Sequence, residues 1–492
     1  MTGPLPLYRP SQVRAMDEFA IGGLGIAAYE LMCRAGAAAF RCLRQRWPGV
    51  ARIGIACGPG NNGGDGYVLA RLAREAGLEV TVLTPPGGHP RTPAARQALA
   101  DWREAGGRVL AFDGVLPEAD LWVDALYGIG LTRPPSDAAQ SIIERINASR
   151  RPVLALDVPS GLDADTGHIP GIAVQAELTV SFIAGKRGCH TGAGLDCTGT
   201  IRIETLDLPD SVYARVRPAA WLARPEDLGR WLEPRHANAH KGEHGHVLCI
   251  GGEAGMGGAV RLCAEAALRT GVGLASVATR SSGVAALVAA RPEAMTHAVE
   301  DAAALAPLLE RADVMAVGPG LGQGAWGRAL LDAALASGKP AVLDADALNL
   351  IAEHPRALPQ AILTPHPGEA GRLLGKDSRA IQADRFAAAE ALVERYGCVV
   401  VLKGAGTLVA APGETPSVIG AGNPGMATGG MGDLLSGVIA ALRAQHLPAY
   451  FAAVAGALLH AAAGDEAARI GGERGLLPSD LFPHLRRMAN PE

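Results

Sequence analysis

Short apolar segments alternate with helical segments along most of the chain, and this alternation limits the possible folds more than any other feature. In the first half, Arg52–Cys57 and Leu121–Ala125 have the apolar character of buried strands, and each precedes a helical pattern. A second series begins near Gly245 and includes His246–Ile250. Apolar strands separated by helices are typical of a parallel sheet that is covered on both faces. We therefore predict an α/β fold.

The two series do not repeat each other, so we predict two unlike domains. A length of 492 residues is too great for one ordinary hydrophobic core. A segment rich in Arg, Pro and Trp, residues 210–234, separates the two series. We place the first domain at residues 1–210, a linker at 211–223 and the second domain at 224–492.

The composition argues against several classes of protein. Hydrophobic residues make up 48% of the chain and charged residues 19%, which is too apolar for a disordered chain. A net charge of -4 and an aromatic content of 4% argue against a nucleic-acid-binding surface. The eight cysteines form no C-x-x-C pair, which favours reduced thiols over a zinc site or disulfides. No signal segment or membrane-length apolar run is recognisable, so we expect a soluble, cytoplasmic protein.

One glycine-rich segment, GNPGMATGGMGDLLSG at residues 422–437, has the composition of a phosphate-binding loop. Its glycines expose backbone N–H groups, and a helix predicted over residues 434–444 places a positive helix end beside them. Asp433 stands where the loop meets this helix, and a carboxylate there can accept a proton from a hydroxyl that attacks phosphate. The segment predicts a phosphoryl-transfer site; the alternative is a glycine-rich surface loop.

Other residues of the second series also suit a ligand site. Only five of the 45 basic residues are lysine, and Lys403 follows an apolar strand, where a compact ammonium suits a nucleotide phosphate. His366 lies between two prolines, which favours a ligand contact over a buried structural role. Asp344 and Asp346 could assist Mg²⁺, although capping a helix over residues 347–352 is the simpler role. No G-x-x-x-x-G-K-[ST] motif occurs, so the site is not a P-loop.

The first series contains GPGNNGGDGY at residues 58–67, followed by a helix predicted over residues 67–76. The next strand ends without the acidic residue that binds the ribose in a dinucleotide fold, so a nicotinamide-dependent dehydrogenase is disfavoured. Asn62, Asp124 and Ser160 lie at three strand ends and could converge at the carboxyl edge of the sheet. Their oxygens suit an alkali or alkaline-earth cation rather than zinc, although a cap or loop hydrogen bond is an alternative for each aspartate alone.

Four motifs of the first series, GPGNNGGDGY, DALYGIG, DVPSGLDADTG and TVSFIAGKRG, closely resemble the NAD(P)H-hydrate epimerase family over residues 8–208. That family interconverts the R and S epimers at C6 of hydrated NADH and NADPH. The resemblance implies a Rossmann-like three-layer α/β/α domain, with K⁺ held by Asn62, Asp124 and Ser160 and with Asp157 as the acid/base. Lys186 would be a helper or a phosphate ligand. The implied substrate contacts are Asn61, Asn62, Gly63, Gly64, Asp65, Gly128, Ile129, Gly130, Leu131, Thr132, Arg133, Pro134 and Asp157.

The segment GNPGMATGGMGD, with HKGEHG, GGEAGMGG, GPGLG, TPHPGE and KGAGT before it, strongly resembles the ribokinase-like NAD(P)H-hydrate dehydratase family over residues 224–487. In bacteria that family uses ADP to dehydrate the S hydrate and restore NADH or NADPH. The resemblance implies Asp433 as the catalytic base and Mg²⁺ bound with ADP. The implied nucleotide contacts are Lys403, Gly404, Ala405, Gly406, Thr407 and Gly432. The implied hydrate contacts are Ala259, Gly320, His366 and Asp433.

Together these features predict a bifunctional metabolite-repair enzyme that acts on NADH hydrate and NADPH hydrate and consumes ADP. The fusion itself favours this interpretation, since epimerisation makes both hydrates available to a stereospecific dehydratase. One alternative is an ATP-dependent small-molecule kinase fused to a nucleotide-binding module. Another is a first half that only senses nucleotides or binds a partner. We expect no nucleic-acid or membrane partner, and we expect a homo-oligomer.

Overall fold

The computed structural model describes residues 3–131 and 133–491. The chain forms two compact units, one made of Pro6–Ala220 and the other of Trp221–Glu492 with the described part of Met1–Leu5. The division after Ala220 falls within the predicted linker, which overlaps a helix and a strand instead of being irregular. None of the described helices combines the length and apolar character needed to cross a bilayer. The eight cysteines are free thiols.

The first unit is built on a parallel sheet with surrounding helices. Its strands are β1 (Leu5–Tyr8), β2 (Arg52–Cys57), β3 (Glu79–Thr84), β4 (Val109–Ala111), β5 (Leu121–Ala125), β6 (Val153–Leu156), β7 (Leu178–Phe182), β8 (Gly185–Lys186) and β9 (Thr200–Glu204). Its helices are α1 (Pro10–Gly22), α2 (Ala28–Arg46), α3 (Asn61–Glu75), α4 (Pro93–Glu104), α5 (Asp137–Ala148), α6 (Gly194–Cys197) and α7 (Asp210–Tyr213), with a 3₁₀ helix at Arg187–His190.

The strand order of this sheet creates a crevice at its carboxyl edge. Seven strands pair in parallel in the order β4-β3-β2-β5-β6-β7-β9, while β1 pairs in parallel with β8. The chain moves outward from β2 to β4 and then returns to β5, so the order reverses between β2 and β5. Ligands of open α/β sheets bind at such a reversal. Asp124 lies near the end of β5, and Asp157 directly follows β6.

Helix α3 begins at Asn61, earlier than the start predicted at residue 67. Glycine is a poor helix former, so the three glycines of residues 61–66 predict a loop there. Close packing accounts for the difference: a Cβ atom at Gly63 would lie 2.0 Å from the carbonyl oxygen of Gly58. Only glycine lets the first turn of α3 approach the preceding loop so closely. Residues 61–67 of GPGNNGGDGY are therefore held in a helix, and residues 58–60 form the loop before it.

The second unit is also built on a largely parallel sheet. Its strands are β10 (Ala220–Ala223), β11 (His246–Ile250), β12 (Leu274–Thr279), β13 (Met295–Ala298), β14 (Val314–Val317), β15 (Ala341–Leu343), β16 (Ala361–Leu363), β17 (Val399–Leu402), β18 (Leu408–Ala410) and β19 (Ser417–Ile419). Its helices are α8 (Gly257–Arg269), α9 (Ser281–Ala290), α10 (Ala302–Arg311), α11 (Ala325–Ala336), α12 (Ala345–Glu353), α13 (Pro367–Leu374), α14 (Ser378–Ala383), α15 (Arg385–Tyr396), α16 (Met431–Ala444), α17 (Ala449–Gly471) and α18 (Phe482–Met488). Its 3₁₀ helices are Pro225–Arg230, Lys241–His244, Pro424–Met426 and Pro478–Leu481.

The strands of this unit follow the order β13-β12-β11-β14-β15-β16-β17-β18-β19-β10. Pairs from β13 to β17 are parallel, whereas β18 is antiparallel to both of its neighbours. The order reverses between β11 and β14, which again predicts a ligand crevice at the carboxyl edge. The loops that carry the glycine, histidine and lysine motifs follow β11, β14, β16 and β17.

Helix α16 carries Asp433 and packs against α8. It begins at Met431, before the start predicted at residue 434, so Gly432 and Asp433 are already helical. A Cβ atom at Gly437 would lie 2.0 Å from the carbonyl oxygen of Cys263 in α8. The two helices therefore touch through backbone at this point, and the contact fixes the position of α16.

Candidate active sites

A buried polar cluster lies at the crevice of the first unit. Ser160 donates from Oγ to Asp124 Oδ1 and from its backbone N–H to Asp124 Oδ2, each at 2.7 Å. Asn62 lies beside the loop after β5, since its Cγ would be 3.5 Å from a Cβ at Gly128. Neither polar atom of the Asn62 amide has a hydrogen-bond partner among the described residues. Burial raises the pKa of Asp124 to about 6, and the hydrogen bonds from Ser160 oppose that rise.

Asp157 and Lys186 form a buried ion pair next to this cluster. The Lys186 ammonium is fully buried and donates to Asp157 Oδ1 at 2.5 Å. Asp157 also has a backbone φ of +67°, a left-handed conformation that is uncommon for a residue other than glycine. Such conformations are concentrated at functional sites, where the surrounding structure enforces them. The resemblance implies Lys186 as a helper or a phosphate ligand, and in the structure its ammonium pairs with Asp157.

A cavity of about 830 Å³ opens beside this pair. Of the residues implied as substrate contacts, those that line the cavity are Asn61, Asn62, Asp65, Gly128, Ile129, Gly130, Leu131, Arg133 and Asp157. Gly63 and Gly64 are buried in the first turns of α3 instead, and Pro134 is exposed. Thr132 lies outside the described residues. The structure thus gathers most of these contacts around one space that is large enough for a small ligand.

The second unit holds a carboxylate at the start of a glycine-rich helix. Asp433 lies in the first turn of α16, three residues after Gly430, whose φ of +94° is a left-handed conformation that favours glycine. Burial and then the charge of Asp344 raise the pKa of Asp433 to about 6, against the opposing effect of Lys403. A base with a pKa near neutrality is well matched to proton abstraction at neutral pH.

Lys403 is the centre of an ion-pair network beside this helix. Its Nζ donates to Asp344 Oδ1 at 2.7 Å and lies 3.8 Å from Glu369 Oε2. Ser436, one turn along α16 from Asp433, donates from Oγ to Asp344 Oδ2 at 2.9 Å. Burial alone would raise the pKa of Asp344, but Lys403 and the hydrogen bond from Ser436 hold it below its ordinary value.

The predicted capping role of Asp344 and Asp346 is therefore wrong. Asp344 precedes α12, but its side chain makes no capping hydrogen bond and points to Lys403. Asp346 accepts hydrogen bonds from the Gly322 N–H at 2.8 Å and the Gln323 side chain at 3.0 Å. These contacts join the loop after β14 to the first turn of α12, and no local pattern in the sequence predicts them.

The other residues implied in the second unit adjoin the same network. A Cβ at Gly320 would lie 3.3 Å from the Ala259 side chain, and a Cβ at Gly432 would lie 3.0 Å from Lys403 Nζ. His366 caps α13, where its Nδ1 accepts from the Gly368 N–H at 3.0 Å. Its side chain is 51% exposed, and burial lowers its pKa. His366 is thus neither a buried structural residue nor free to rotate.

The segment after β17 is shaped by an arginine that the sequence did not single out. Arg385 is fully buried and donates to the carbonyl oxygens of Leu402 and Lys403, at 3.1 and 3.3 Å. A Cβ at Gly404 would lie 2.9 Å from this guanidinium. Thr407 closes the turn by donating from Oγ1 to the Gly404 carbonyl at 3.0 Å. The turn Lys403–Thr407, including Ala405 and Gly406, is therefore preformed.

Comparison with known proteins matches both units. Residues 28–188 match the model of the YjeF-related protein N-terminus, and residues 247–487 match that of NAD(P)H-hydrate dehydratase. The bifunctional NAD(P)H-hydrate repair enzyme of Coxiella burnetii is 49% identical over 486 residues, which cover 99% of both chains. That of Escherichia coli is 46% identical over 490 residues, 99% of this chain and 95% of its own. This chain belongs to the family of bifunctional NAD(P)H-hydrate repair enzymes.

Solved structures agree with this membership for the second unit. A ribokinase-like superfamily protein from Enterococcus faecalis matches with a TM-score of 0.51 and 30% identity, over 55% of this chain and 96% of its own. An ADP/ATP-dependent NAD(P)H-hydrate dehydratase from Bacillus subtilis, co-crystallised with ATP/Mg²⁺, matches with a TM-score of 0.50 and 29% identity, over 54% and 96%. The predicted ribokinase-like α/β fold is confirmed.

Proposed function

We propose that the first unit epimerises NADH hydrate and NADPH hydrate at C6 and that the second unit dehydrates the S epimer with ADP. The observation that carries the proposal is Asp433, a carboxylate with a pKa of about 6 at the start of a glycine-rich helix, beside the Lys403 network. The names of the full-length relatives support the same pair of activities and favour them over the kinase alternative.

Dehydration needs a better leaving group than hydroxide at C6. Asp433 would accept the proton of the C6 hydroxyl as that oxygen attacks the β-phosphate of ADP, and AMP would leave. The ring nitrogen lone pair would then expel phosphate, and loss of a proton from C5 would give the reduced nicotinamide. The backbone N–H groups at the start of α16 would stabilise the charge on the transferring phosphoryl group.

The nucleotide would lie along the preformed turn after β17, with Gly432 beside it. Lys403, Gly404, Ala405, Gly406 and Thr407 would contact it, while Ala259, Gly320 and His366 would contact the hydrate. Lys403 carries one positive charge, and the carboxylates of Asp344 and Glu369 lie around it. This network is therefore net negative, so a bound cation would be needed to neutralise the charge of a polyphosphate. Mg²⁺ fits these hard oxygen donors, would be held near Asp346 and Asp433, and would neutralise phosphate charge.

The polar cluster of the first unit fits a monovalent cation. Asp124 is fully buried without a basic partner among the described residues, and Asn62 has an unpartnered amide oxygen. We propose that these oxygens and Ser160 Oγ hold K⁺, which would supply positive charge beside the substrate phosphates or ribose. Asp157 lines the adjoining cavity and would act as the acid/base for epimerisation. The remaining proposed substrate contacts are Asn61, Gly63, Gly64, Asp65, Gly128, Ile129, Gly130, Leu131, Thr132, Arg133 and Pro134.

Complementation between two variants tests the division of labour. With a mixture of R and S NADH hydrate, ADP, Mg²⁺ and K⁺, the wild-type chain should restore the reduced-nicotinamide absorbance completely. Asp157→Asn should restore only the S fraction plus what epimerises spontaneously, whereas Asp433→Asn should restore almost nothing. A mixture of the two variants should behave as wild type. Failure of the wild type to restore any absorbance would refute the dehydratase assignment, and full restoration by Asp157→Asn would refute the epimerase assignment.

Thermal unfolding tests the potassium site without measuring activity. A ligand at 100 times its dissociation constant stabilises the folded state by about 2.7 kcal/mol. The melting transition of the first unit should therefore rise in K⁺ relative to Li⁺ at equal ionic strength. Asp124→Asn should abolish the difference between the two salts. Equal melting temperatures of the wild type in both salts would contradict the site.

We also expect the protein to be cytoplasmic and to form a homo-oligomer. Light scattering on the purified protein would measure its oligomeric state.

A further inference from the structure

The Lys186 ammonium is committed entirely to protein partners. It is fully buried and donates to Asp157 Oδ1 at 2.5 Å, to Ser181 Oγ at 3.0 Å and to the Phe182 carbonyl at 2.7 Å. An ammonium has three N–H donors, so these contacts use all of them. Lys186 therefore has no donor left for a ligand phosphate. Its positive charge instead stabilises the ionised carboxylate of Asp157.

This pairing leaves the second oxygen of Asp157 at the cavity wall. Among the described residues, Asp157 Oδ2 accepts one long hydrogen bond, 3.3 Å, from the Ile129 N–H. A Cβ at Gly128 would lie 2.7 Å from Oδ2, so the glycine keeps that oxygen uncovered. Both Gly128 and Ile129 line the cavity. The hydrogen bond from Lys186 thus fixes the position of Oδ1 and balances the carboxylate charge. Oδ2 faces the space where a substrate would bind.

Asp65 lines the same cavity, but unlike Asp157 it has no hydrogen bond from Lys186 among the described residues. Its side chain is 8% exposed, and no hydrogen bond or ion pair reaches its carboxyl group from the part of the chain that the structure describes. Burial raises the pKa of Asp65 well above its ordinary value, and the charges of Asp157 and then Asp17 raise it further, against the opposing effect of Lys186. On β2, burial and then the charge of Asp65 raise the pKa of the Cys57 thiol. Two carboxyl groups in contrasting surroundings mark an acid and a base.

We propose that Asp65 is the proton donor of the epimerase site and that Lys186 is the positioning residue that leaves Asp157 as the proton acceptor. This inference rests on the proposed epimerase activity and extends it with a second catalytic carboxyl group. Lys186 distinguishes the two aspartates, because only Asp157 receives its ammonium.

The proposed step opens the ring of the hydrate without a net change in protons. Asp157 removes the proton of the C6 hydroxyl, the C6=O bond forms, and the C6–N1 bond breaks with its electron pair on N1. Asp65 delivers its proton to N1, which leaves an aldehyde and a ring-opened amine. Rotation presents the other face of the aldehyde; N1 then attacks C6, Asp65 recovers the proton from N1, and Asp157 returns its proton to the oxygen.

This route keeps the C6–O bond intact. Loss of the hydroxyl as water would instead create an iminium ion, and that ion yields the reduced nicotinamide by losing a proton from C5. The product of the epimerase is still a hydrate, so we expect its mechanism to avoid the iminium ion. The two routes differ in the source of the C6 oxygen, which can be measured.

The first experiment measures kcat/KM for epimerisation of R-NADH hydrate against pH, without ADP, by chromatography of the two epimers. The wild type should give a bell-shaped profile. Asp65→Asn should lose the alkaline limb and fall by about 10²–10⁴-fold, since an amide cannot deliver a proton. Lys186→Met should move the acidic limb to higher pH and lower kcat more than it changes KM. The control, Lys376→Met, removes an exposed lysine of the second unit and should leave the profile unchanged.

The second experiment uses only the wild-type chain, so it does not depend on whether a variant folds. Epimerisation in H₂¹⁸O should introduce no ¹⁸O at C6 during the first turnovers. Incorporation of one ¹⁸O in each turnover would overturn the ring-opening step.

The outcomes separate this inference from the proposed function. A wild type that does not epimerise the hydrate would refute the epimerase assignment itself. A wild type that epimerises, with Asp65→Asn retaining both its rate and its alkaline limb, would refute the role of Asp65 alone. An unchanged acidic limb in Lys186→Met would refute the positioning role of Lys186. Dehydration of S-NADH hydrate by each variant and the melting transition of its first unit report folding.

Discussion

Replacing Asp433 with asparagine should reduce dehydration and at the same time stabilise the second unit. Burial, reinforced by the charge of Asp344, raises the pKa of Asp433 from 3.8 to about 6 although Lys403 lowers it. The ionised form that acts as a base is therefore disfavoured by the fold. An asparagine keeps the shape of the side chain and removes the charge.

The size of the stabilisation follows from the raised pKa. At 1.36 kcal/mol per pH unit, a rise from 3.8 to about 6 corresponds to roughly 3 kcal/mol at neutral pH. Partial exposure and the reorganisation of Lys403 reduce this, so we expect a gain of about 1–2 kcal/mol. For a unit of this size, 1 kcal/mol changes the melting temperature by about 2–4 °C.

The sign of the pH dependence is fixed by the direction of the pKa change. Below about pH 4 the carboxyl is protonated in both folded and unfolded chains, so wild type and variant should be equally stable. Between pH 4 and about 6 the unfolded chain ionises first, and the wild type loses stability relative to the variant. Above pH 6 the difference should be constant. Wild-type dehydration should also fall about tenfold per pH unit below pH 6, because the protonated group cannot act as a base.

The assay combines melting curves of the second unit from pH 4 to 8 with dehydration of S-NADH hydrate by ADP. Asp433→Asn should lose about 10²–10⁴-fold in kcat while melting several degrees higher at pH 7. The control is Glu394→Gln, which neutralises an exposed carboxyl of α15 and should change neither quantity. A variant that loses both activity and stability would refute the reasoning, because that result indicates damage to the fold. Retention of activity within tenfold would refute the role of Asp433 as the base.

Two further predictions concern glycines at close backbone approaches. Gly437→Ala should destabilise the second unit by about 1–3 kcal/mol and reduce dehydration, because its Cβ would lie 2.0 Å from the Cys263 carbonyl oxygen. Gly229→Ala, where no atom lies within 4 Å, should melt as wild type; equal effects would contradict the packing argument. Gly63→Ala should lower the melting temperature of the first unit and abolish epimerisation, since it meets a carbonyl oxygen at 2.0 Å. Gly49→Ala is its matched control, and a wild-type melting curve for Gly63→Ala would show that α3 can shift without cost.

The central strands were predictable because each is an almost continuous apolar run. β2, β5 and β11 begin and end at the predicted residues, and they place the glycine loops at the carboxyl edges of the sheets. Short strands such as β13 and β18 lack a run of that length and gain their pairing from neighbours distant in sequence. Propensity correctly found where loops occur, but it placed the starts of α3 and α16 too late. At α3, the close backbone contact of Gly63 overrides the low helix propensity of glycine.

The partners of the charged side chains could not be predicted. Asp344 has the sequence position of a helix cap, and only the folded chain brings it to Lys403, 59 residues away. The orientation of Asp157 likewise depends on Lys186, 29 residues away. Local patterns indicate which residues suit a site, whereas ion pairs between distant loops depend on the strand order of the whole sheet.

The placement of lysine makes this chain convenient for chemical labelling. Each unit holds one lysine at its candidate site, Lys186 in the first and Lys403 in the second, and their side chains are 0% and 19% exposed. The other three are Lys241, Lys339 and Lys376. An amine-reactive reagent will therefore modify few positions on the native chain, and Lys186 will become reactive only when the first unit opens. Peptide mapping of the Lys186 adduct over time therefore measures the rate at which the first unit opens, and no probe has to be introduced.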